Sequence, residues 1–130
     1  MEHKCELTVR SYECDGYGHV NNANYLHYLE FARHEYLRDN GVSLSELREA
    51  GYGLLVARVA IDFRRPSTTD DALIILTRPL RKTRIGGVLS QRIVRESETV
   101  AEAEVTWVCV DARGRLARLP AAFDHEGLSP

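Results

Sequence analysis

The chain has 130 residues, 44% hydrophobic and 28% charged, with a net charge of −2 at pH 7. That is the size and composition of one globular domain burying roughly two thirds of its unfolded surface, and it excludes a disordered chain, a disulfide scaffold and a globally basic nucleic-acid binder. No apolar run approaches the about 18 residues that cross a bilayer, and the opening Met1-Glu-His-Lys-Cys5 lacks the apolar centre of a signal peptide, so a cytoplasmic protein without membrane attachment is expected.

Cys5, Cys14 and Cys109 are odd in number and form no CxxC pair or zinc spacing, so they read as reduced packing thiols. Glu6–Tyr12 alternates loosely and predicts a short first strand. From Asn22 onward, Tyr25, Tyr28, Leu29, Ala32, Tyr36 and Leu37 recur at steps of three and four and share one helical face. With Asn21 or Asn22 as N-cap and Asn40-Gly41 as stop, this helix runs roughly 28 Å. Ser43–Ala50 predicts a short second helix, capped by Ser43 with Glu46 completing a capping box.

The period then falls to two. Leu55, Ala57, Val59, Ile61 and Phe63 fall on one face of a strand, with Arg58, Asp62 and Arg64 on the other. Ala72–Thr83 predicts another strand, in which Pro79 imposes an edge, bulge or bend, and Gly86-Gly87 predicts a hairpin into Val88–Glu96. A turn near Ser97-Glu98 leads to Val100–Val110, where Ala101, Ala103, Val105, Trp107 and Cys109 oppose Glu102, Glu104 and Thr106. Asp111–Gly114 predicts a turn, and Arg115–Leu119 a final short strand stopped by Pro120. The succession predicts an α+β fold in one domain over residues 1–130: an antiparallel sheet of five to six strands wrapped around one long helix.

The stretch Asp15-Gly-Tyr-Gly-His-Val-Asn-Asn22 is a glycine-loosened polar loop running directly into the long helix. It sets a carboxylate a few residues before a helix N-terminus, whose unpaired N–H groups and positive dipole end can hold a developing oxyanion. This pairing points to acyl transfer, with Asp15 as base or nucleophile. On local grounds alone, Asp15 is a loop aspartate accepting backbone N–H bonds beside Gly16. His19 either donates to the reacting group or orients the loop. Asn21 and Asn22 read as caps, a role compatible with presenting free N–H groups to a ligand.

Glu30 and Arg33, one turn apart, form either an ordinary helix pair worth about 0.2–0.5 kcal/mol or a site with Glu30 as base. His27 and His34 lie about 10 Å apart along the helix axis, too far for both to bind one zinc at about 2 Å, so no metal and no cofactor is expected. No Gly-x-Ser-x-Gly elbow supports a serine triad.

Glu13-Cys-Asp15-x-x-Gly18-His-Val20-Asn-Asn-x-x-Tyr25-Leu-x-x-x-Glu30-x-x-Arg33 resembles the signature of the hotdog-fold thioesterases of the 4-hydroxybenzoyl-CoA thioesterase type. The His-Val-Asn-Asn variant is most similar to that superfamily's long-chain acyl-CoA and plant acyl-ACP thioesterases. Ile61-Asp-Phe-Arg-Arg-Pro66 followed by Asp71 resembles the family's strand, proline and aspartate. The family often has Asp where this chain has Glu13. The resemblance implies catalysis by Asp15, assisted by His19, with the backbone N–H near Asn22 polarising the thioester carbonyl and Gly18, Val20, Asn21 and Tyr25 lining the substrate. It implies an acyl-CoA substrate lying between the protomers of a homodimer or homotetramer, with acyl carrier protein as the alternative carrier.

The cluster of Arg78, Arg81, Lys82 and Arg84 is either a solvated face or, through Arg81, Lys82 and Arg84, a cradle for the CoA phosphates, to which guanidinium forks are suited. Arg113, Arg115 and Arg118 form a second basic patch, and neither patch carries the stacking aromatics of a nucleic-acid surface. The rival readings are a non-enzymatic acyl-CoA-binding domain, since fold does not dictate activity, and a hotdog dehydratase, whose paired Asp and His are not found.

Overall fold

Asn21 takes an extended backbone conformation and its side chain accepts the Ala23 N–H at 2.9 Å, which starts helix α1 (Asn22–Asp39). The helix stops where Gly41 adopts a φ of 79° and the Val42 N–H returns to the Leu37 carbonyl at 2.9 Å. A shorter helix, α2 (Leu44–Glu49), begins at Ser43, whose hydroxyl accepts the Glu46 N–H at 3.2 Å. In this computed structural model, which describes residues 2–130, the remainder of the chain is largely sheet. The strands are β1 (His3–Thr8), β2 (Tyr52–Phe63), β3 (Ala72–Lys82), β4 (Gly86–Arg95) and β5 (Glu98–Asp111). They lie in the order β1-β3-β4-β5-β2, every pairing antiparallel.

The expected helical stripe is the buried one. Tyr25, Tyr28, Leu29 and Ala32 pack with Leu73, Ile75, Ile93, Ala101, Ala103 and Val105 toward the end of the sheet where β2 finishes. Tyr36, Val42 and Leu47 pack with Leu89, Trp107, Cys109, Leu119 and Leu128 toward the other end. The long helix inside a curled antiparallel sheet is the hotdog arrangement. Among the described residues no helix is long and apolar enough to cross a membrane.

Four expectations are corrected. The first strand occupies His3–Thr8, and Ser11–Glu13 forms a 3₁₀ turn instead of extending it. Arg115–Leu119 is not a strand: it meets β5 only at the Val110–Leu116 bridge. β2 covers one side of β5, and β4 pairs no further along the other side than Val108, leaving the returning segment too short an edge to form a ladder. Gly86 and Gly87 lie within β4 and not in the hairpin turn, because a Cβ on Gly86 would strike the Trp107 carbonyl oxygen and one on Gly87 would lie 2.7 Å from that of Arg81.

The fourth correction concerns β2. A bulge between Val56 and Arg58 shifts its alternation, so Leu54, Val56, Val59, Ile61 and Phe63 stand opposite the buried Cys109, Trp107, Val105, Ala103 and Ala101. Leu55 consequently falls on the other face. Although its apolar row faces the helix side, β2 is an edge strand and the row stays open, with Phe63 50% and Val56 46% exposed.

Candidate active site

The polar loop is a tight return. The Asp15 N–H donates to the His19 carbonyl at 2.7 Å, the Gly18 N–H to that of Asp15 at 3.0 Å, and Cys14 bridges Val20. Gly18, at a φ of 78°, supplies the left-handed residue the return requires. Asp15 Oδ1 accepts the N–H groups of Tyr17 at 2.8 Å and His19 at 3.4 Å. Its Oδ2 accepts no hydrogen bond from the described residues. One oxygen thus orients the carboxylate while the other stays available for chemistry.

Two braces fix the loop against the fold. On one side Val20 N–H donates to the Ser67 carbonyl at 2.8 Å and His19 bridges Thr68, tying the loop to the segment between β2 and β3. Arg95 holds that segment by donating to the Pro66 carbonyl at 2.8 Å and to Asp71 Oδ2 at 3.1 Å. The Thr68 N–H and the Arg95 guanidinium hold the Asp71 carboxyl below the usual carboxylate range.

On the other side stands Glu13, which is buried. Its carboxylate accepts the Arg10 N–H and the Tyr28 hydroxyl, both at 2.8 Å, and the Arg10 guanidinium at 3.2 Å. Burial opposes its ionisation, but these three donors outweigh it and its carboxyl titrates below the ordinary glutamate range.

At the start of α1 the Ala23 N–H is taken by the Asn21 side chain and the Asn24 N–H by the Asn21 carbonyl. The Asn22 N–H has no acceptor among the described residues and remains the open donor at the positive end of the helix. Asp15, His19, Val20, Asn21, Asn22 and Tyr25 line one groove of about 530 Å³, opposite Phe63, Arg64, Arg65 and Pro66. The Tyr25 ring tilts against Phe63 at 5.5 Å between centroids. Burial raises the pKa of the Tyr25 hydroxyl, which lies against Ser67 without either hydroxyl completing a bond of good geometry.

The predicted residues therefore divide. Asp15, His19, Val20, Asn21, Asn22 and Tyr25 share the groove, and Gly18 shapes the loop behind it. Arg81, Lys82 and Arg84 do not join it within one chain: they sit at the far end of β3, roughly 33 Å along the strand from Ala72. Lys82 pairs instead with Asp124 at 3.3 Å and lies over the Trp107 ring. Glu30 and Arg33 form no ion pair, because Arg33 turns inward to Gln91 Oε1 at 3.0 Å.

Sequence reasoning missed Phe63, Arg64 and Arg65 as groove residues, although two consecutive arginines before Pro66 at a strand end were a visible signal. Arg64 pairs with Glu102 at 3.2 Å and Arg65 with Glu98 at 2.9 Å, both at the rim. Glu13 was legible only as a family position; its bracing role needs the distant Tyr28.

A carboxylate with one free oxygen beside an open helix N-terminus is an arrangement for adding water to an activated carbonyl. Residues 9–126 match the family model of the thioesterase-like superfamily. The long-chain acyl-CoA thioesterase FadM of Escherichia coli K12 is 37% identical over 86% of this chain and 86% of its own length. An Arabidopsis thaliana chloroplastic acyl-acyl carrier protein thioesterase, ATL3, is 31% identical over 93% of this chain, which spans 65% of that protein. Among solved structures, a probable thioesterase from Bartonella henselae superposes with a TM-score of 0.88 at 29% identity, over 92% of this chain and all of that one. The chain belongs to the thioesterase-like superfamily and is a thioesterase of the hotdog fold.

Proposed function

We propose that the protein hydrolyses a long-chain acyl-CoA to the free acid and CoA, with Asp15 and the Asn22 N–H acting on one thioester carbon. The observation that carries this reading is the shared groove, in which Asp15 keeps a free oxygen and Asn22 an unpaired N–H. Asp15 takes a proton from water as the water oxygen bonds to the carbonyl carbon, and the carbonyl oxygen gathers negative charge beside the Asn22 N–H. The C–S bond then breaks and CoA leaves as a thiolate that is protonated in turn. Alternatively Asp15 itself bonds to the carbon and expels the thiolate, and water cleaves the resulting anhydride. His19, exposed in the groove and without a side-chain partner among the described residues, assists as a polar group. The long-chain preference follows the 37% identical relative.

The working unit in this reading is a homodimer, alone or doubled into a tetramer. Its support is β2, an edge strand whose outer side is unpaired among the described residues and whose helix-facing Val56, Val59 and Phe63 are exposed. Antiparallel pairing of two β2 strands covers them and sets Arg81, Lys82 and Arg84 of the partner subunit toward the end of the sheet that carries the groove. Those cations, with Arg64 and Arg65 at the rim, meet the CoA phosphates.

The plant relative supports acyl carrier protein as a second carrier. Free-thiol release measured on both acyl-CoAs and acyl carrier protein thioesters decides. The expected result is fastest release from long-chain acyl-CoAs; release from the carrier protein alone reassigns the carrier, and release from neither removes the activity.

A further inference from the structure

Four side chains of α1 recur at steps of four, three and four: Leu26, Glu30, Arg33 and Leu37. At 3.6 residues per turn they fall within about 60° of one another and form one flank beside the buried stripe of Tyr25, Leu29 and Tyr36. This flank turns toward β2. Arg33 and Leu37 wall a hollow together with Leu54, Leu55 and Val56, while Asp39, on the other flank of the helix, meets His3 of β1 at 2.7 Å.

Within one chain the flank is unfinished. Leu26 is 43% exposed, Glu30 is exposed, and neither Glu30 nor Arg33 has an ion-pair partner among the described residues. Arg33 is half-buried and donates to the neutral Gln91 Oε1 at 3.0 Å; burial lowers its pKa although the nearby Glu30 acts to raise it. A partly desolvated guanidinium held by an amide alone lacks the carboxylate that such groups ordinarily find.

The four residues read the same from either end: apolar, charged, charged, apolar, with equal outer spacings and opposite signs in the middle. Laid antiparallel on a copy of itself, about the point midway between Glu30 and Arg33, the flank is self-complementary. Leu26 then meets the partner's Leu37 and Glu30 the partner's Arg33, each contact made twice, as a two-fold axis requires. A parallel copy sets like charges together, and a slip of one turn sets a charge against a leucine.

The strand edge points to the same axis. Phe63 lines the groove with Asn22, and Val56 the hollow with Arg33, so β2 runs opposite to α1 and its middle lies level with the Glu30–Arg33 midpoint. At that level Val56 and Val59 are exposed on the edge strand.

We propose that α1 docks antiparallel on the α1 of a second copy, with Glu30 of each chain paired to Arg33 of the partner subunit and Leu26 packed against the partner's Leu37. The proposal rests on the dimer of the preceding reading and adds what strand pairing leaves open. Two edge strands can slip by two residues without turning a side chain to the wrong face, whereas the reciprocal charges are satisfied in one register. That register fixes where each groove lies relative to the partner's Arg81, Lys82 and Arg84.

Sedimentation and native mass spectrometry test it without any turnover. Glu30→Arg alone and Arg33→Glu alone each bring like charges together twice per dimer, and each is expected to weaken self-association on the order of a hundredfold or more. Mixed, the two variants carry opposite signs at both contacts, and a heterodimer is expected, read by mass with one chain isotopically labelled. An ion pair confined to one helix would give no such recovery. Glu30 is exposed, so Glu30→Arg reports even where Arg33→Glu, which gives up the Gln91 contact, loses its helical circular dichroism. Glu30→Arg self-associating as tightly as the wild type would overturn the helix pairing and leave the β2 dimer standing. Folded variants that stay apart on mixing would do the same. A monomeric wild type removes both.

Discussion

The Tyr28 hydroxyl donates to Glu13 Oε1 at 2.8 Å inside the core, and the Glu13 carbonyl in turn receives the Asn21 N–H and Asn24 Nδ2, each at 2.8 Å. One buried residue thereby joins the second turn of α1 to the helix cap and the end of the loop that carries Asp15. Tyr28→Phe removes a hydrogen bond to a charged acceptor, and a loss of about 2 kcal/mol in urea denaturation is expected, with a fall in kcat as the loop loosens. A loss under about 0.5 kcal/mol would show that the contact does not hold the loop.

Acid stability follows from the same carboxylate. Glu13 titrates lower in the folded chain than in the unfolded one, so its contribution is present above the ordinary glutamate value of about 4.3 and is lost as pH falls through the folded value. Asp71, also lowered, acts with the same sign. The thermal midpoint is expected to hold near neutrality and fall from about pH 5 downward, and Glu13→Gln should flatten that acid limb. An equally steep limb in Glu13→Gln would move the cause to other groups.

The β2 edge gives a test of assembly. Val59→Lys puts a charge on an exposed apolar position of the unpaired strand and is expected to yield a folded monomer by sedimentation, with thioester hydrolysis lost. A wild-type chain that is monomeric and fully active would remove the dimer from the account.

At Gly86 the backbone of β5 approaches too closely for a side chain. Gly86→Ala is expected to cost about 2–3 kcal/mol in chemical denaturation, since the Trp107 carbonyl belongs to a paired strand and cannot swing aside.

Much of this was legible in the residues themselves. The Tyr25–Leu37 stripe, the Asn21 cap and the Ala101–Cys109 alternation are local signals, and each element formed where its period placed it. What failed depended on neighbours. The Val56/Arg58 bulge moved Leu55 off its expected face, and Arg115–Leu119 lacked a strand edge to join. Gly86-Gly87 imitates a turn but answers a close approach from β5. At the site, Asp15, His19 and Asn22 are contiguous enough to be read together. Phe63 lines it and Glu13 braces it through pairings that no spacing reveals.

The most direct measurement is thiol release from palmitoyl-CoA by Asp15→Asn, in a preparation whose circular dichroism and sedimentation match the wild type. Asparagine can keep the Oδ1 contacts to Tyr17 and His19 but cannot accept a proton or form the anhydride. A fall of about a thousandfold in kcat is expected. Wild-type turnover in the folded variant would contradict the assignment of Asp15 to the chemistry.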